Sequence, residues 1–206
     1  MIVLGIDTSI RGQCVTLIAH ADGTVVDRRT ERTTALSRTL ALHLRDLLKT
    51  GEEVAGVVVV TGPGSYTGVR AGMAAALGVA HSKGVSLFGI TSFEAVAAGV
   101  PGDGRVAVLV EAGRGAAFAA EVVRTGMTMT VQPGPARVEL DGWTPPPDVT
   151  VAVLGGFAVA GAVTVDQVAG LAAAIPVAMG RGPLDPAGLA ATQVATPTFA
   201  LVRPHV

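Results

Sequence analysis

The chain has 206 residues, with 15 Lys or Arg against 16 Asp or Glu, so its formal charge is −1. A protein that binds nucleic acid by itself normally has a basic face, and this balance disfavours that class. No apolar run reaches the roughly 20 residues that a membrane helix needs. The start of the chain lacks a basic leader, and Cys14 has no second cysteine to pair with. Together these features predict a cytoplasmic protein without a membrane partner.

The first half of the chain alternates β-branched runs with turn residues and helical periodicity. The Asp22–Gly23 pair predicts a hairpin turn within a meander of three strands. Leucines at 36, 40, 44 and 47 share one face of a helix. Thr91 and Glu94 have the spacing of a capping box. The predicted strands are 2–7, 13–19, 24–30, 54–61 and 85–90, and the predicted helices are 34–49, 67–83 and 91–98.

The second half begins after a break at 101–104, a Pro-Gly-Asp-Gly sequence. Strands are predicted at 105–110, 116–123, 127–132 and 149–154, and helices at 168–175 and 186–193. Prolines mark the intervening loops. The order of strands and helices predicts an α/β protein of two lobes with mixed sheets, residues 1–100 and 101–206.

A glycine-rich motif follows the apolar run 57–60 and extends from Gly62 to Arg70. This arrangement predicts a strand, a tight loop and the first turn of a helix. Such a loop leaves backbone N–H groups free at a positive helix end, where an anion or a docked partner can bind. The Gly-Lys-Ser/Thr ending of a Walker A loop is absent from this stretch.

Two motifs together carry a resemblance to a known family. Residues 5–9, Gly-Ile-Asp-Thr-Ser, resemble the first phosphate-binding segment of the actin, sugar kinase and Hsp70 ATPase superfamily. Combined with the motif at 62–70, they resemble the YeaZ (TsaB) family. The resemblance implies a two-lobed actin-like/sugar kinase/Hsp70 ATPase (ASKHA) fold with RNase H-like lobes. The second lobe departs from the family pattern at Glu111, Gly113 and Ala116, and residues 197–203 only loosely echo its closing segment.

That family implies a non-catalytic dimerization subunit. Such a subunit binds and supports its catalytic paralogue TsaD in threonylcarbamoylation of adenosine beside the anticodon of tRNA. A TsaE-type ATPase is the further partner, and tRNA is contacted only through the complex. The resemblance implies no required cofactor, with ATP or ADP and Mg as candidates in the complex, and a homodimer as an open alternative when the chain is alone.

The candidate site residues form two groups. The helix at 67–83 is rich in Ala and Gly, which lets another helix approach closely. One hypothesis places a second subunit there, and the other covers the helix with the chain's own sheet. The residues assigned to a partner surface are Leu42, Tyr66, Arg70, Gly72, Ala75, Ala76 and Val79, and those assigned to a nucleotide are Asp7, Thr8, Ser9, Gly62, Gly64, Ser65, Thr67 and Gly68.

Metal and covalent catalysis have little support in the sequence. The four histidines, at 20, 43, 81 and 205, include no pair at i and i+4, which excludes a two-histidine metal site on one helix. No base accompanies Ser65 or Thr67 in sequence. Two alternatives to the subunit hypothesis are an independent ATP-dependent phosphotransferase of the same superfamily and a peptidase-like scaffold.

Overall fold

The computed structural model describes residues 1–49, 51 and 53–185. Its first half forms a five-stranded sheet in the order β3-β2-β1-β4-β5. The first three strands are antiparallel, with the Asp22–Gly23 turn between β2 and β3, and β4 and β5 run parallel to β1. The elements are β1 (Ile2–Asp7), β2 (Gln13–His20), β3 (Val25–Arg32), α1 (Leu36–Leu47), β4 (Val54–Val60), α2 (Tyr66–Lys83), β5 (Ser86–Ile90) and α3 (Ser92–Ala98).

The second half forms a further sheet in the order β11-β10-β6-β7-β8, with β9 paired to β7. The sequence did not predict β9 or β11. Both are short and depend on pairing with distant strands, which local periodicity does not report. The elements are β6 (Gly104–Gly113), β7 (Ala116–Thr125), β8 (Thr128–Val131), β9 (Ala136–Glu139), β10 (Thr150–Leu154), β11 (Val163–Thr164) and α4 (Gln167–Gly180).

The predicted end of the last described helix was too early. Pro176 lies inside α4, which continues to Gly180. A proline removes one backbone hydrogen bond, and the helix continues because Val177 and Ala178 beyond it are buried. The helix predicted at 186–193 and the echo at 197–203 lie outside the described residues.

The helices and sheets stack as layers. The leucine face of α1 and the inner face of α2 cover one side of the first sheet in a common apolar core. Helices α3 and α4 lie between the two sheets in a second core. Although α4 follows the second sheet in sequence, it packs against β1, β2, β4 and β5. The contacts of α4 therefore cross the predicted boundary at residue 100. The division into two lobes stays a prediction.

A buried carboxylate joins the central helices. Glu94 is 5% exposed and accepts hydrogen bonds from the backbone N–H and the hydroxyl of Thr91, which confirms the predicted capping box. It also pairs with Arg181 at the end of α4. Arg181 in turn donates to the backbone carbonyl of Met129 in β8, at 3.2 Å. This chain of contacts ties α3, α4 and the second sheet together.

We expect Glu94→Ala to lower the free energy of unfolding by about 3 kcal/mol, because it leaves the Arg181 charge and the helix cap without their partner. The matched control is Glu121→Ala, which removes an exposed pair with Arg105 and is expected to cost less than about 1 kcal/mol. Urea denaturation measures both values. Equal losses in the two variants would contradict the role given to Glu94.

Candidate functional site

The two sequence motifs meet at the carboxyl ends of β1 and β4. The backbone N–H of Ser65 donates to the carbonyl of Ser9 at 2.6 Å. The hydroxyl of Thr8 donates to the carbonyl of Gly68 at 2.7 Å. The turn after β1 and the start of α2 are therefore in direct backbone contact.

Three glycines make this contact possible. A Cβ atom at Gly64 would overlap the carbonyl oxygen of Ser9, and one at Gly68 would overlap that of Thr8. A Cβ at Gly72 would overlap the hydroxyl of Thr8. Gly68 and Gly72 are four residues apart and share one face of α2, and Gly64 lies just before the N-cap Ser65. The space that a phosphate would need in an anion-binding loop is filled here by the protein's own backbone.

The candidate magnesium ligand is closed to solvent. Asp7, Thr8 and Ser9 are each at most 1% exposed. Burial raises the pKa of Asp7 above its ordinary value, and hydrogen bonds from Ser9 oppose that rise. The backbone N–H of Ser9 donates to Asp7 Oδ1 at 2.8 Å, and Gln167 Nε2 donates to the Asp7 carbonyl at 3.4 Å. Residues 7–9 do not fit a hydrated magnesium ion or a nucleotide phosphate in this arrangement, since neither could reach them.

The other predicted nucleotide residues lie around the same contact. Gly62 and Gly68 are buried, Gly64 and Ser65 are half-buried, and Thr67 is exposed. Ser65 is the N-cap of α2 and accepts a hydrogen bond from the Gly68 N–H at 3.3 Å. The loop therefore uses part of its donor capacity internally.

The outer face of α1 and α2, on the side away from the first sheet, carries exposed apolar side chains. Leu42 is 38% exposed and Tyr66 is 63% exposed. The guanidinium carbon of Arg70 lies 3.8 Å from the Tyr66 ring centroid, which makes a cation–π pair at the surface. Leu77 is 36% exposed, and neighbouring Ala74 and Gly78 are exposed as well.

The structure corrects part of the predicted partner surface. Gly72 lies against Thr8, and Ala76 is fully buried against the first sheet. Neither residue is therefore exposed to a partner. Ala75 and Val79 are half-buried against the same core. Sequence analysis missed Leu77, although it follows Arg70 by seven residues and therefore shares its helix face.

A groove continues from this face. It encloses about 790 Å³ between the second half of α2, β5 and the segment after α4. Leu77 and His81 line one side, and Pro183 and Leu184 line the other. The backbone N–H of Leu184 donates to the Leu87 carbonyl at 2.7 Å, which covers part of the edge of β5.

A buried polar row lies beneath α1. Cys14 Sγ is 3.6 Å and Thr16 Oγ1 is 3.3 Å from His43 Nδ1. His43 Nε2 is 3.6 Å from a Glu31 carboxylate oxygen. The order Cys, His, Glu is that of a nucleophile with its base, but Cys14 is 0% exposed and burial raises its thiol pKa to about 12. A substrate cannot reach it, and its thiolate is strongly disfavoured.

Two further findings concern the part of the chain that the structure describes. Within residues 1–49, 51 and 53–185, no three His, Cys, Asp or Glu side chains are grouped so that they could hold a metal ion. None of the helices in these ranges combines the length and apolar character needed to cross a membrane.

Residues 30–155 match the family model described as TsaD: tRNA N6-adenosine threonylcarbamoyltransferase. The match covers more than half of the 206 residues. The chain belongs to this family.

The curated relatives of this TsaD-family chain cover its length only in part. An uncharacterized protein of Mycobacterium tuberculosis H37Rv is 31% identical over 106 residues, which are 49% of this chain and 50% of that protein. An uncharacterized protein of Mycobacterium leprae is 33% identical over 109 residues, which are 50% of this chain and 30% of that protein. The chain thus spans about half the length, or less, of the curated relatives it matches.

Solved structures agree on the fold. YeaZ from Pseudomonas aeruginosa superposes with a TM-score of 0.68 at 19% identity, covering 88% of this chain and 93% of that one. A crystal structure of an uncharacterized Pseudomonas aeruginosa protein with similarity to peptidase YeaZ gives 0.67 at 18% identity, with the same coverage. The predicted resemblance to YeaZ and the α/β ASKHA-type fold of two mixed sheets are confirmed.

We expect Gly68→Ala to destabilise the protein by about 2 kcal/mol or more, because overpacking against a backbone carbonyl cannot relax by rotating a side chain. Gly78→Ala lies in the same helix with open space around it and is expected to stabilise by about 0.5 to 1 kcal/mol through helix propensity. Denaturant unfolding of both variants measures the difference. A Gly68 variant as stable as the Gly78 variant would show that the contact with Thr8 is not tight.

His43 gives the stability a pH dependence. Burial lowers its pKa below the ordinary value of 6.5, and Glu31 opposes that shift. Below pH 6.5 the unfolded state therefore binds a proton that the folded state resists. The contribution of neutral His43 is complete above this pH and is lost as pH falls towards the folded pKa, by at most about 1.4 kcal/mol per pH unit. His43→Gln should flatten the curve of unfolding free energy between about pH 7.5 and 5.5, and parallel curves would contradict this assignment.

Proposed function

We propose that this chain is a non-catalytic dimerization subunit in threonylcarbamoylation of adenosine beside the anticodon of tRNA. One observation carries the proposal. The α1–α2 layer exposes apolar side chains at Leu42, Tyr66 and Leu77, while the glycine-rich loop at 62–70 is closed by its contacts with Thr8 and Ser9. Membership of the TsaD family and the YeaZ fold support the choice of reaction.

The exposed layer supports a binding role. Large apolar side chains grouped on two adjacent helices, rimmed by polar residues, are typical of protein interaction sites. Tyrosine and arginine are among the residue types most enriched at the centres of such sites, and Tyr66 and Arg70 form a cation–π pair on this layer. The small residues Ala74 and Gly78 allow a partner helix to approach α2 closely.

The buried groups favour a supporting role over catalysis. Asp7 is enclosed, so it is poorly placed to hold magnesium for phosphoryl transfer. Cys14 is enclosed and its thiol is strongly protonated, which disfavours a peptidase mechanism. Phosphoryl transfer would need the turn that carries Asp7 to open to solvent. A peptidase mechanism would need Cys14, beneath α1, to become exposed.

The catalytic paralogue TsaD is the subunit that docks on α1 and α2 as a heterodimer, and a TsaE-type ATPase acts on the assembly. Transfer RNA is contacted through the complex, in the cytoplasm. ATP or ADP with Mg enters through the partners, and the chain requires no cofactor of its own.

We expect the double variant Leu42→Asp, Leu77→Asp to fold normally and to lose at least about tenfold in affinity for TsaD of the same organism, since both are exposed apolar side chains of the outer helices. The control is Met127→Asp, because Met127 is 58% exposed on the turn between β7 and β8. Complex mass by light scattering, tRNA modification activity and circular dichroism provide the measurements.

The alternatives have separate outcomes in the same experiment. The purified chain is expected to show no ATP hydrolysis alone and to raise modification activity when TsaD is present. Turnover of ATP by the chain alone would favour the phosphotransferase. Full binding by the Leu42, Leu77 variant would move the partner to another surface.

A further inference from the structure

Three residues of β3, the edge strand of the first sheet, form an exposed row that we call the β3 strip. They alternate along the strand and therefore share one face. Two of their pairing partners on β2, Val15 and Leu17, are at most 1% exposed in the core that contains α4. The cover that α4 gives to this side of the sheet thus ends at β2. The residues of the β3 strip are Arg28, Thr30 and Arg32.

The charge at the β3 strip is positive and locally unopposed. Exposed Arg11 extends it, because Arg11 lies in the turn two residues before Gln13, the pairing partner of Arg32. Among the residues that the structure describes, no carboxylate is within ion-pair distance of Arg11, Arg28 or Arg32. The neighbouring helix α4 contains no charged residue. Three cations are therefore free to bind an anionic partner.

The opposite face of the same strand has charges of both signs. On that side Asp27 pairs with Arg29, and a carboxylate oxygen of Glu31 lies 3.6 Å from His43 Nε2. Charged side chains on an edge strand also keep it from pairing with the sheet of another molecule, and either sign of charge serves that purpose. Protection of the edge therefore does not explain why one face is mixed and the other is only cationic.

We propose that the β3 strip and Arg11 bind the phosphodiester backbone of tRNA when this chain is assembled with TsaD. The inference rests on the proposed function and adds an RNA contact made by this chain itself. Guanidinium groups bind phosphate through paired N–H donors. Four residues of a strand place Arg28 and Arg32 about 13 Å apart along β3, so they can reach different phosphates of one RNA strand.

The size of the strip defines its role in RNA binding. Contacts to phosphate position a nucleic acid without reading its sequence. Three cations on a chain with a formal charge of −1 are few, whereas a protein that binds nucleic acid by itself normally has a broad basic face. The strip therefore adds affinity and orientation to the assembled complex, and it does not bind tRNA tightly by itself.

The test titrates the complex of the intact chain and TsaD with the unmodified transcript of a tRNA that has adenosine beside its anticodon. The double variant Arg28→Glu, Arg32→Glu should bind at least about tenfold more weakly. It should also reduce the steepness of log K against log salt by about 1.5 to 2, because each phosphate contact contributes about 0.7 to 0.9.

Two further double variants give the controls. Arg28→Lys, Arg32→Lys keeps both charges and should retain most of the affinity and the salt dependence. Arg114→Glu, Arg137→Glu makes the same change of charge at exposed arginines in the second half of the chain and should leave both values unchanged. If the Arg28, Arg32 reversal does not assemble with TsaD, the neutral variant Arg28→Gln, Arg32→Gln provides the same comparison.

Light scattering on each complex separates this inference from the proposed function. A reversed variant that assembles with TsaD and binds tRNA with wild-type affinity and salt dependence overturns the inference and leaves the proposed function in place. An equal loss in the Arg114, Arg137 control also overturns it, because the effect would then be one of overall charge. Failure of the wild-type chain to bind TsaD overturns the proposed function. Wild-type binding to vesicles of phosphatidylserine and phosphatidylcholine that the reversal abolishes, with tRNA affinity unchanged, would assign the strip to a membrane surface and overturn the RNA contact.

Discussion

The fold of the first sheet depends on the backbone contact between the turn after β1 and the beginning of α2. Gly64 and Gly68 let the carbonyls of Ser9 and Thr8 approach so closely that even a methyl group would not fit. This contact fixes the start of α2 on the sheet and therefore its rotation along 18 residues. The rotation in turn decides that Ala76 faces the core while Leu77 faces solvent. A shift of one residue at the glycine contact would turn the side chains by about 100° around the helix axis and so change which of them face the core.

The same contact explains why a glycine-rich loop is an ambiguous signal. A phosphate cradle and a close backbone crossing both require residues without Cβ atoms at the start of a helix. The two cases differ in what lies against the glycines. Here the carbonyls of Thr8 and Ser9 lie against Gly68 and Gly64. The enclosure of Asp7 follows directly, because the turn that carries it is pressed between α2 and Gln167 of α4. Residues whose sequence resembles a phosphate-binding segment thus hold the end of β1 against the start of α2.

Much of the first half was predictable because its signals are local. The meander, the leucine face of α1 and the Thr91 capping box all depend on residues within a few positions of one another, and all are confirmed. The inward face of α2 was not predictable in the same way. Small residues surround this helix on nearly every side, so periodicity does not show which of them meet the sheet. The short β9 and β11, and the return of α4 to the first sheet, depend on contacts with distant parts of the chain.

The internal packing of the outer layer bears on the proposed docking. Helix α1 is held by Leu40, Leu44 and Leu47 in the core and by His43 in the polar row, and α2 is held by its glycines. The Tyr66–Arg70 contact is made within the chain itself. Since binding loses affinity whenever flexible groups must be ordered, a preformed face limits that loss to a few side chains such as Leu42 and Leu77. The tight packing between the start of α2 and the turn after β1 thus also fixes the backbone on which these exposed side chains sit.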